Sequence, residues 1–344
     1  MPVQMDDRDK RLLNLLQSEF PLVRRAYAAL GERLPSGEEE ILARITRLRQ
    51  EKIIRQISAI FDTRSLGYRS SLVAMRADAA RVDEAAAMVN THPGVSHNYK
   101  RSHAFNMWFT IAVPPEKDLE ATVKRLHELA GAESTRILPT LRLFKIGVNL
   151  DMTGESNPAA LEEPAYSDRK REGADPAALT PREILAIREL QEDLPSEPAP
   201  FDPMAARMGI TPEDLFAVAA ELTRRGHLRR FAAVLHHRNA GFRANAMGVW
   251  KVPESRTDEV GAMMGSVRGV SHCYLRPTYP DWPYNIFTMV HGRTVKECEE
   301  ILGSISQATG ITDFSQLYST KEYKKTRVRY FTDEYEAWER QYAA

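Results

Sequence analysis

Two stretches of the chain concentrate side chains that exchange protons, grip anions and stack on flat rings. VSHNYKRSHAFNMWF carries His97, Tyr99, Arg101, His103, Asn106 and Trp108. VSHCYLRPTYPDWPYNIF carries His272, Tyr274, Arg276, Trp282, Tyr284 and Asn285. In each, His, Tyr and Arg recur at every second position, so a β-strand would present all three on one face. Histidine is the side chain whose protonation changes near neutral pH, and tyrosine is the next proton donor to consider. Arginine offers a planar fork that matches carboxylates better than lysine does. His97 and His272 are therefore candidate catalytic groups, with Tyr99 and Tyr274, and with His103 on the same hairpin as His97. The plainer reading is that duplication alone preserved the pattern. Phe105, Trp108, Tyr284 and Phe287 have an equally plain reading as core residues. Asn106 and Asn285 either bond a carboxylate or pin the hairpin.

Both stretches belong to a repeat. RQISAIFDTRSLGYR aligns with RRFAAVLHHRNAGFR, so that Arg55 meets Arg229, Arg64 meets Arg238 and Gly67 meets Gly241. A four-residue insertion within PTYPDWP then brings Asn106 opposite Asn285. Two copies of one unit are the simplest explanation. The segment Arg229, Arg230, His236, His237 and Arg238 adds cations and imidazoles to the second copy, where the first has Asp62 and Thr63 before Arg64. Its plain alternative is a set of solvated wing residues.

The elements that must position these residues follow from periodicity. Each copy opens with helical patterns: DDRDKRLLNLLQSEF and SGEEEILARITRLRQEK, then TPREILAIRELQ and TPEDLFAVAAELTRRG. Ser36 is the expected N-cap of the second, with Glu39 in the capping-box position and Ile41, Ile45 and Leu48 on one face. Short helices joined by a turn suggest a winged helix-turn-helix. Each copy continues as strand, helix, strand, strand, helix, strand, which is the ferredoxin-like order. The fold class is α+β, with two tandem copies of winged helix-turn-helix plus ferredoxin-like domain. The expected boundaries are 1–52 and 53–150 for the first copy, a Pro-, Ala- and charge-rich linker at 151–178, 179–228 and 229–335 for the second copy, and a tail at 336–344. The basic segment Lys321, Lys324, Lys325, Arg327 and Arg329 reads as a solvated face.

Composition narrows the class. The chain has 344 residues and no net formal charge, which does not suit a general nucleic-acid binder. No apolar run approaches the ~18 residues of a membrane span. The N-terminus is charged and lacks a signal-peptide core. Cys273 and Cys298 form neither a C-x-x-C pair nor a zinc spacing. A reducing cytoplasm is the expected location.

The layout resembles the Lrp/AsnC family of transcription regulators, and the two stretches are more specific. HNYKRSHAFNMWF resembles a segment of one siroheme decarboxylase subunit; RRFAAVLHHRNAGFRANAMGVW and CYLRPTYPDWPYNIFTMVHG resemble segments of its partner subunit. The resemblance implies both subunits fused in one chain as an internal pseudo-dimer. It implies an enzyme that removes CO2 from the C12 and C18 acetates of siroheme, giving 12,18-didecarboxysiroheme on the way to d1 haem or, by an alternative route, haem b. A further homodimer and contacts with other d1 haem enzymes remain open. The substrate is a flat macrocycle with carboxylates and an iron. It asks for aromatic walls (Trp108, Trp282, Tyr284) and guanidinium forks (Arg55, Arg101, Arg229, Arg230, Arg238, Arg276). His236 or His237 is a candidate axial ligand to the substrate iron. No net oxidation occurs, so no cofactor is expected. An arginine clamped on a departing carboxylate would stabilise the ground state, so the arginines are assigned to carboxylates that stay.

The rival readings are a DNA-binding regulator that senses a tetrapyrrole and a non-catalytic haem carrier. Recognition helices meet DNA near their N-termini. Here those ends carry Glu38, Glu39 and Glu40 in one copy and Glu213 and Asp214 in the other, which repel phosphate.

Overall fold

A computed structural model describes residues 5–18, 20–147, 152–153, 157–164, 166–168, 178–236 and 244–342. The chain divides into two compact units, and each draws on both copies of the repeat.

The first unit, residues 1–66, 148–157 and 171–243, holds both helix-turn-helix segments. Helices α1 (Asp7–Ser18), α2 (Ala26–Arg33) and α3 (Glu38–Gln50) precede strand β1 (Ile54–Phe61). Helices α6 (Pro181–Leu190), α7 (Asp202–Arg207) and α8 (Pro212–Arg224) precede β7 (Leu228–Leu235). In the second set the Thr-Pro starts work as expected: Thr180 with Glu183, and Thr211 with Asp214, form reciprocal capping boxes. In α3 the N-cap is Gly37 rather than Ser36, whose hydroxyl instead lies 2.6 Å from a Glu40 carboxylate oxygen. The expected face of Ile41, Ile45 and Leu48 is buried. Strands β1 and β7 pair antiparallel, Ile57 opposite Ala233, into a two-stranded ribbon. That pairing moves the boundaries: each strand stays with its helices, so the division falls after Leu66 and after Arg243 rather than after Lys52 and Leu228.

The second unit holds both ferredoxin-like halves. The first runs β2 (Arg69–Arg76), α4 (Val82–Asn90), β3 (Val95–Arg101), β4 (Met107–Val113), α5 (Leu119–Ala130), β5 (Ser134–Pro139) and β6 (Arg142–Ile146). The second runs β8 (Ala244–Trp250), α9 (Thr257–Ser266), β9 (Val270–Leu275), β10 (Ile286–Gly292), α10 (Val295–Thr309) and β11 (Phe314–Lys325). The strand order is β5-β2-β4-β3-β11-β8-β10-β9-β6. Each half supplies a 4-1-3-2 sheet and then lends its last strand to the other. β11 pairs with β8 through Phe314–Tyr318 and with β3 through Ser319–Lys325, while β6 pairs with β9. Because β5 runs directly into β6, the two ends of this order belong to one length of chain.

Three cores result. One lies under α4 and α5 around Val73, Val89, Phe109 and Leu126, and a second under α9 and α10 around Val260, Met264, Ile301 and Leu302. The third lies on the helix-free faces, where Ala74, Phe105, Trp108 and Leu138 of the first half meet Met247, Val249, Trp282, Phe287 and Leu317 of the second.

Two expectations are corrected. Residues 158–164 and 166–168 do not merely link: Gly269 and Arg268 donate backbone N–H groups to Pro158 and Ala160, and Leu143 donates to the Asp168 carboxylate. The tail begins as helix α11 (Glu334–Tyr342), and its Trp338 enters the core of the first half and donates from Nε1 to Thr91.

Candidate active site

The His–Tyr–Arg rows form as alternation requires. His97, Tyr99 and Arg101 point from β3 to the helix-free face, and Asn98 points the other way, to Asn90 and the carbonyl of Ala86 on α4. His272, Tyr274 and Arg276 repeat the arrangement from β9. Each histidine is oriented by the serine before it: Ser96 Oγ is 3.0 Å from His97 Nδ1, and Ser271 Oγ is 2.8 Å from His272 Nδ1. A hydroxyl on Nδ1 directs proton exchange to Nε2. The imidazole and phenol of each row lie side by side, with centroids 6.3 Å apart in the first and 6.0 Å in the second. Arg276 covers the Tyr274 ring at 4.6 Å, and Arg101 lies 5.8 Å from the Tyr99 ring.

Both arginines are buried. Arg101 donates to the carbonyl of Leu317, and Arg276 donates to the carbonyl of Leu138. Among the described residues no carboxylate pairs with Arg101, and its Nε is buried without a hydrogen-bond partner. Burial lowers the Arg101 pKa to about 10. A desolvated cation with one carbonyl for company is costly unless an anion joins it.

The hairpins are held by asparagines. Asn106 accepts from the Ala77 N–H and donates to the Ala77 carbonyl; Asn285 does the same with Val252. Of the two roles open to them, the structure gives both amides to backbone, and the substrate-binding expectation is set aside. Trp108 and Trp282 are each 1% exposed, with centroids 5.0 Å apart, and belong to the central core rather than to an open wall. Trp108 donates to the Phe105 carbonyl. Phe105 and Phe287 join the same core, and Tyr284 packs partly buried against Trp282. The insertion in the second copy explains Trp282. It carries Tyr279, whose hydroxyl donates to the Ile137 carbonyl at 2.6 Å, and Asp281, which pairs with Arg136 at 2.8 Å. His103 is exposed there, 5.3 Å from Trp282, and its Nδ1 accepts from the Phe105 N–H. Burial first, and the nearby Arg76 second, lower its pKa.

The remaining candidates lie in the other unit. Arg229 and Arg230 sit on β7, Arg55 at the bulge that opens β1, and His236 just past β7, its N–H donating to Ile53. Burial, reinforced by the charge of Arg229, lowers the Arg230 pKa to about 10. His237 and Arg238 lie outside the described residues.

Sequence reasoning passed over three polar groups on the rows' face. Ser96 and Ser271 were legible in the repeated VSH. His291 is legible from alternation with Met289, which pairs with His272. Burial, and then the charge of Lys325, lower its pKa to about 4. Lys325 lies directly across from His97 on β11.

The acidic helix starts are internally paired. Glu38 binds Arg25, Glu40 binds Arg8 and Arg44, and Asp214 binds Arg182. The hydroxyl of Ser36 and the Arg44 guanidinium hold the Glu40 carboxyl down at about 2. Among the described residues no group of three or more His, Cys, Asp or Glu could hold a metal ion, and no helix is long and apolar enough to cross a membrane.

Comparison with known proteins agrees with this architecture. Residues 9–55 and 183–229 match the siroheme decarboxylase NirDL-like HTH domain, and residues 65–145 and 239–324 match the AsnC-like ligand binding domain. The chain is 38% identical to a siroheme decarboxylase of Hydrogenobacter thermophilus over 97% of its length and 98% of the relative's. It is 43% identical to the siroheme decarboxylase beta subunit of Methanosarcina barkeri, over 43% of this chain and 97% of that subunit. The crystal structure of the siroheme decarboxylase NirDL covers 98% of both chains, with a TM-score of 0.75 and 34% identity. A second crystal structure of that enzyme, in co-complex with an iron-uroporphyrin III analogue, gives a TM-score of 0.74. A match that spans almost the entire chain, together with the duplicated His–Tyr–Arg rows, places this protein in the siroheme decarboxylase family.

Proposed function

We propose that the chain decarboxylates siroheme at the C12 and C18 acetates, giving 12,18-didecarboxysiroheme. The observation that carries the reading is Arg101, a buried guanidinium with no carboxylate partner among the described residues, standing in one row with a phenol and a serine-oriented imidazole. A polycarboxylate ligand supplies the missing anion. The relative solved with an iron-uroporphyrin III analogue supports a macrocycle of this class.

The chemistry needs little more. The bond between the carboxylate carbon and the CH2 breaks and releases CO2. The electron pair stays on the CH2, where the conjugated ring spreads it, and one proton from the protein completes the methyl group. The serine-oriented imidazoles, or the phenols beside them, supply that proton. The balance involves no oxidant or reductant, so the reading includes no nicotinamide or flavin. His236 or His237 remains the proposed axial ligand to the substrate's iron, and Arg55, Arg229, Arg230 and Arg238 the proposed grips for its carboxylates. The buried, unpaired Cys273 and Cys298 agree with work in a reducing cytoplasm. The product would pass to other enzymes of d1 haem or haem b synthesis.

The test is anaerobic incubation with siroheme followed by mass spectrometry. Loss of two CO2 per molecule is expected without added cofactor. A shifted Soret band with unchanged substrate mass would identify a carrier instead.

A further inference from the structure

The two rows share their residues but not their neighbours. On the helix-free face, each histidine and tyrosine has a cross-strand neighbour on either side. His97 lies between Thr110 of β4 and Lys325 of β11, and Tyr99 lies between Trp108 and Glu322. His272 lies between Met289 of β10 and Ile146 of β6, and Tyr274 lies between Phe287 and Leu143. Residues directly opposite in an antiparallel pair share a face, with Cβ atoms about 4.5–5.5 Å apart. The first row is thus flanked by a hydroxyl, an indole, an ammonium and a carboxylate. The second is flanked by a thioether, two aliphatic side chains and a phenyl ring. The serines follow suit: besides its histidine, Ser96 bonds the Thr110 hydroxyl at 2.8 Å, whereas Ser271 donates to the Met289 backbone carbonyl at 3.1 Å.

The exchanged strands create this difference, because Lys325 and Glu322 belong to the second copy and Ile146 and Leu143 to the first. A carboxylate that leaves as CO2 gives up its charge on the way to the transition state. A cation beside it stabilises the starting anion more than the transition state and slows the step. An apolar wall does the reverse. Resting on the siroheme decarboxylase reading, we propose that the second row is the decarboxylating one, with Ile146 and Leu143 as positioning residues that keep charge away from the acetate facing His272. The first row, with Lys325, holds carboxylates that are retained.

The test is single-turnover decarboxylation of prebound siroheme under anaerobic conditions, with affinity measured separately from the Soret band. Ile146→Lys is expected to slow the bound reaction by about tenfold or more, the scale of a barrier change near 1.4 kcal/mol, without a matching loss of affinity. Ile146→Gln, similar in size and uncharged, should move the rate the same way and replaces the lysine variant if that one does not fold. Ile146→Met should restore the wild-type rate. Lys325→Ile should lower the bound rate less than Ile146→Lys does. Equal rates for Ile146→Lys, Ile146→Gln and Ile146→Met, or a collapsed rate in Lys325→Ile alone, would overturn the assignment. Wild-type protein that binds siroheme and releases no CO2 would instead remove the decarboxylase reading itself.

Discussion

The Arg101 guanidinium donates to the carbonyl of Leu317 at 2.7 Å, from the first copy of the repeat to the second. Arg276 returns the bond to Leu138, the equivalent leucine. Each row is thereby tied to the fourth strand of the other copy's sheet, β11 or β5. Arg101→Ala should lower siroheme affinity more than it slows the bound reaction. It should also cost about 1.5–3 kcal/mol of stability, typical of a hydrogen bond to a charged group. Thermal melts with a Soret titration check both. Arg101→Lys should not restore affinity, because an ammonium lacks the fork. Normal affinity with a collapsed rate would show that the arginine acts in the chemical step.

His97 and His272 should not matter equally. His272→Ala is expected to slow turnover of prebound siroheme by about 10²–10⁴-fold, the usual contribution of a general acid. His97→Ala should act mainly on affinity. Near wild-type rates for both variants would pass the acid's role to Tyr99, Tyr274 or His103.

Acid should destabilise the second unit through His92. Its ring is buried, 4.5 Å from Trp338, and its Nδ1 accepts from the Gly94 N–H. Burial lowers its pKa to about 3. The unfolded chain takes up this proton near pH 6.5 and the folded one does not, so the contribution is present above pH 6.5 and is lost as pH falls toward 3. Stability should fall by up to about 1.4 kcal/mol per pH unit from this group. Denaturant titrations at pH 7, 5.5 and 4.5 measure the slope, which His92→Phe should flatten.

Gly94 allows the close approach of chain that precedes the bulge at Ser96. A Cβ there would sit 1.9 Å from the Ala112 carbonyl oxygen, which is backbone and cannot swing away. Gly94→Ala should cost about 1–3 kcal/mol, as overpacking does. A melting temperature equal to wild type would show that the strand shifts freely.

The helices and the 4-1-3-2 sheets could be read from sequence because their signals are local. Thr180 and Thr211 announce helix starts, and HNY and HCY alternate as strands should. The exchange of β6 and β11 carries no local signal: nothing near Ile146 or Lys325 says which strand lies alongside. For that reason the rows were legible and their unequal neighbours were not. Trp338 was read as tail because a lone tryptophan near the end has no periodic companions, and its burial depends on Thr91 and His92 far back in the chain. Asn106 and Asn285 misled because an amide that pins a hairpin and one that binds a carboxylate look alike in sequence.

The packing of α11 against the first half sets an order of events during synthesis. Trp338 fills a core whose other members, from Val73 to Leu126, leave the ribosome some two hundred residues earlier. Strand β3, with its His–Tyr–Arg row, likewise waits for β11. The first ferredoxin-like half therefore cannot finish folding until α11 is made. A nascent or proteolysed fragment that stops short of α11 presents an open sheet edge and an uncovered apolar face, which a quality-control protease or chaperone would recognise. Fusion of the two copies removes the need for a second chain to arrive, and makes the integrity of β11 and α11 a condition for the row on β3 to exist.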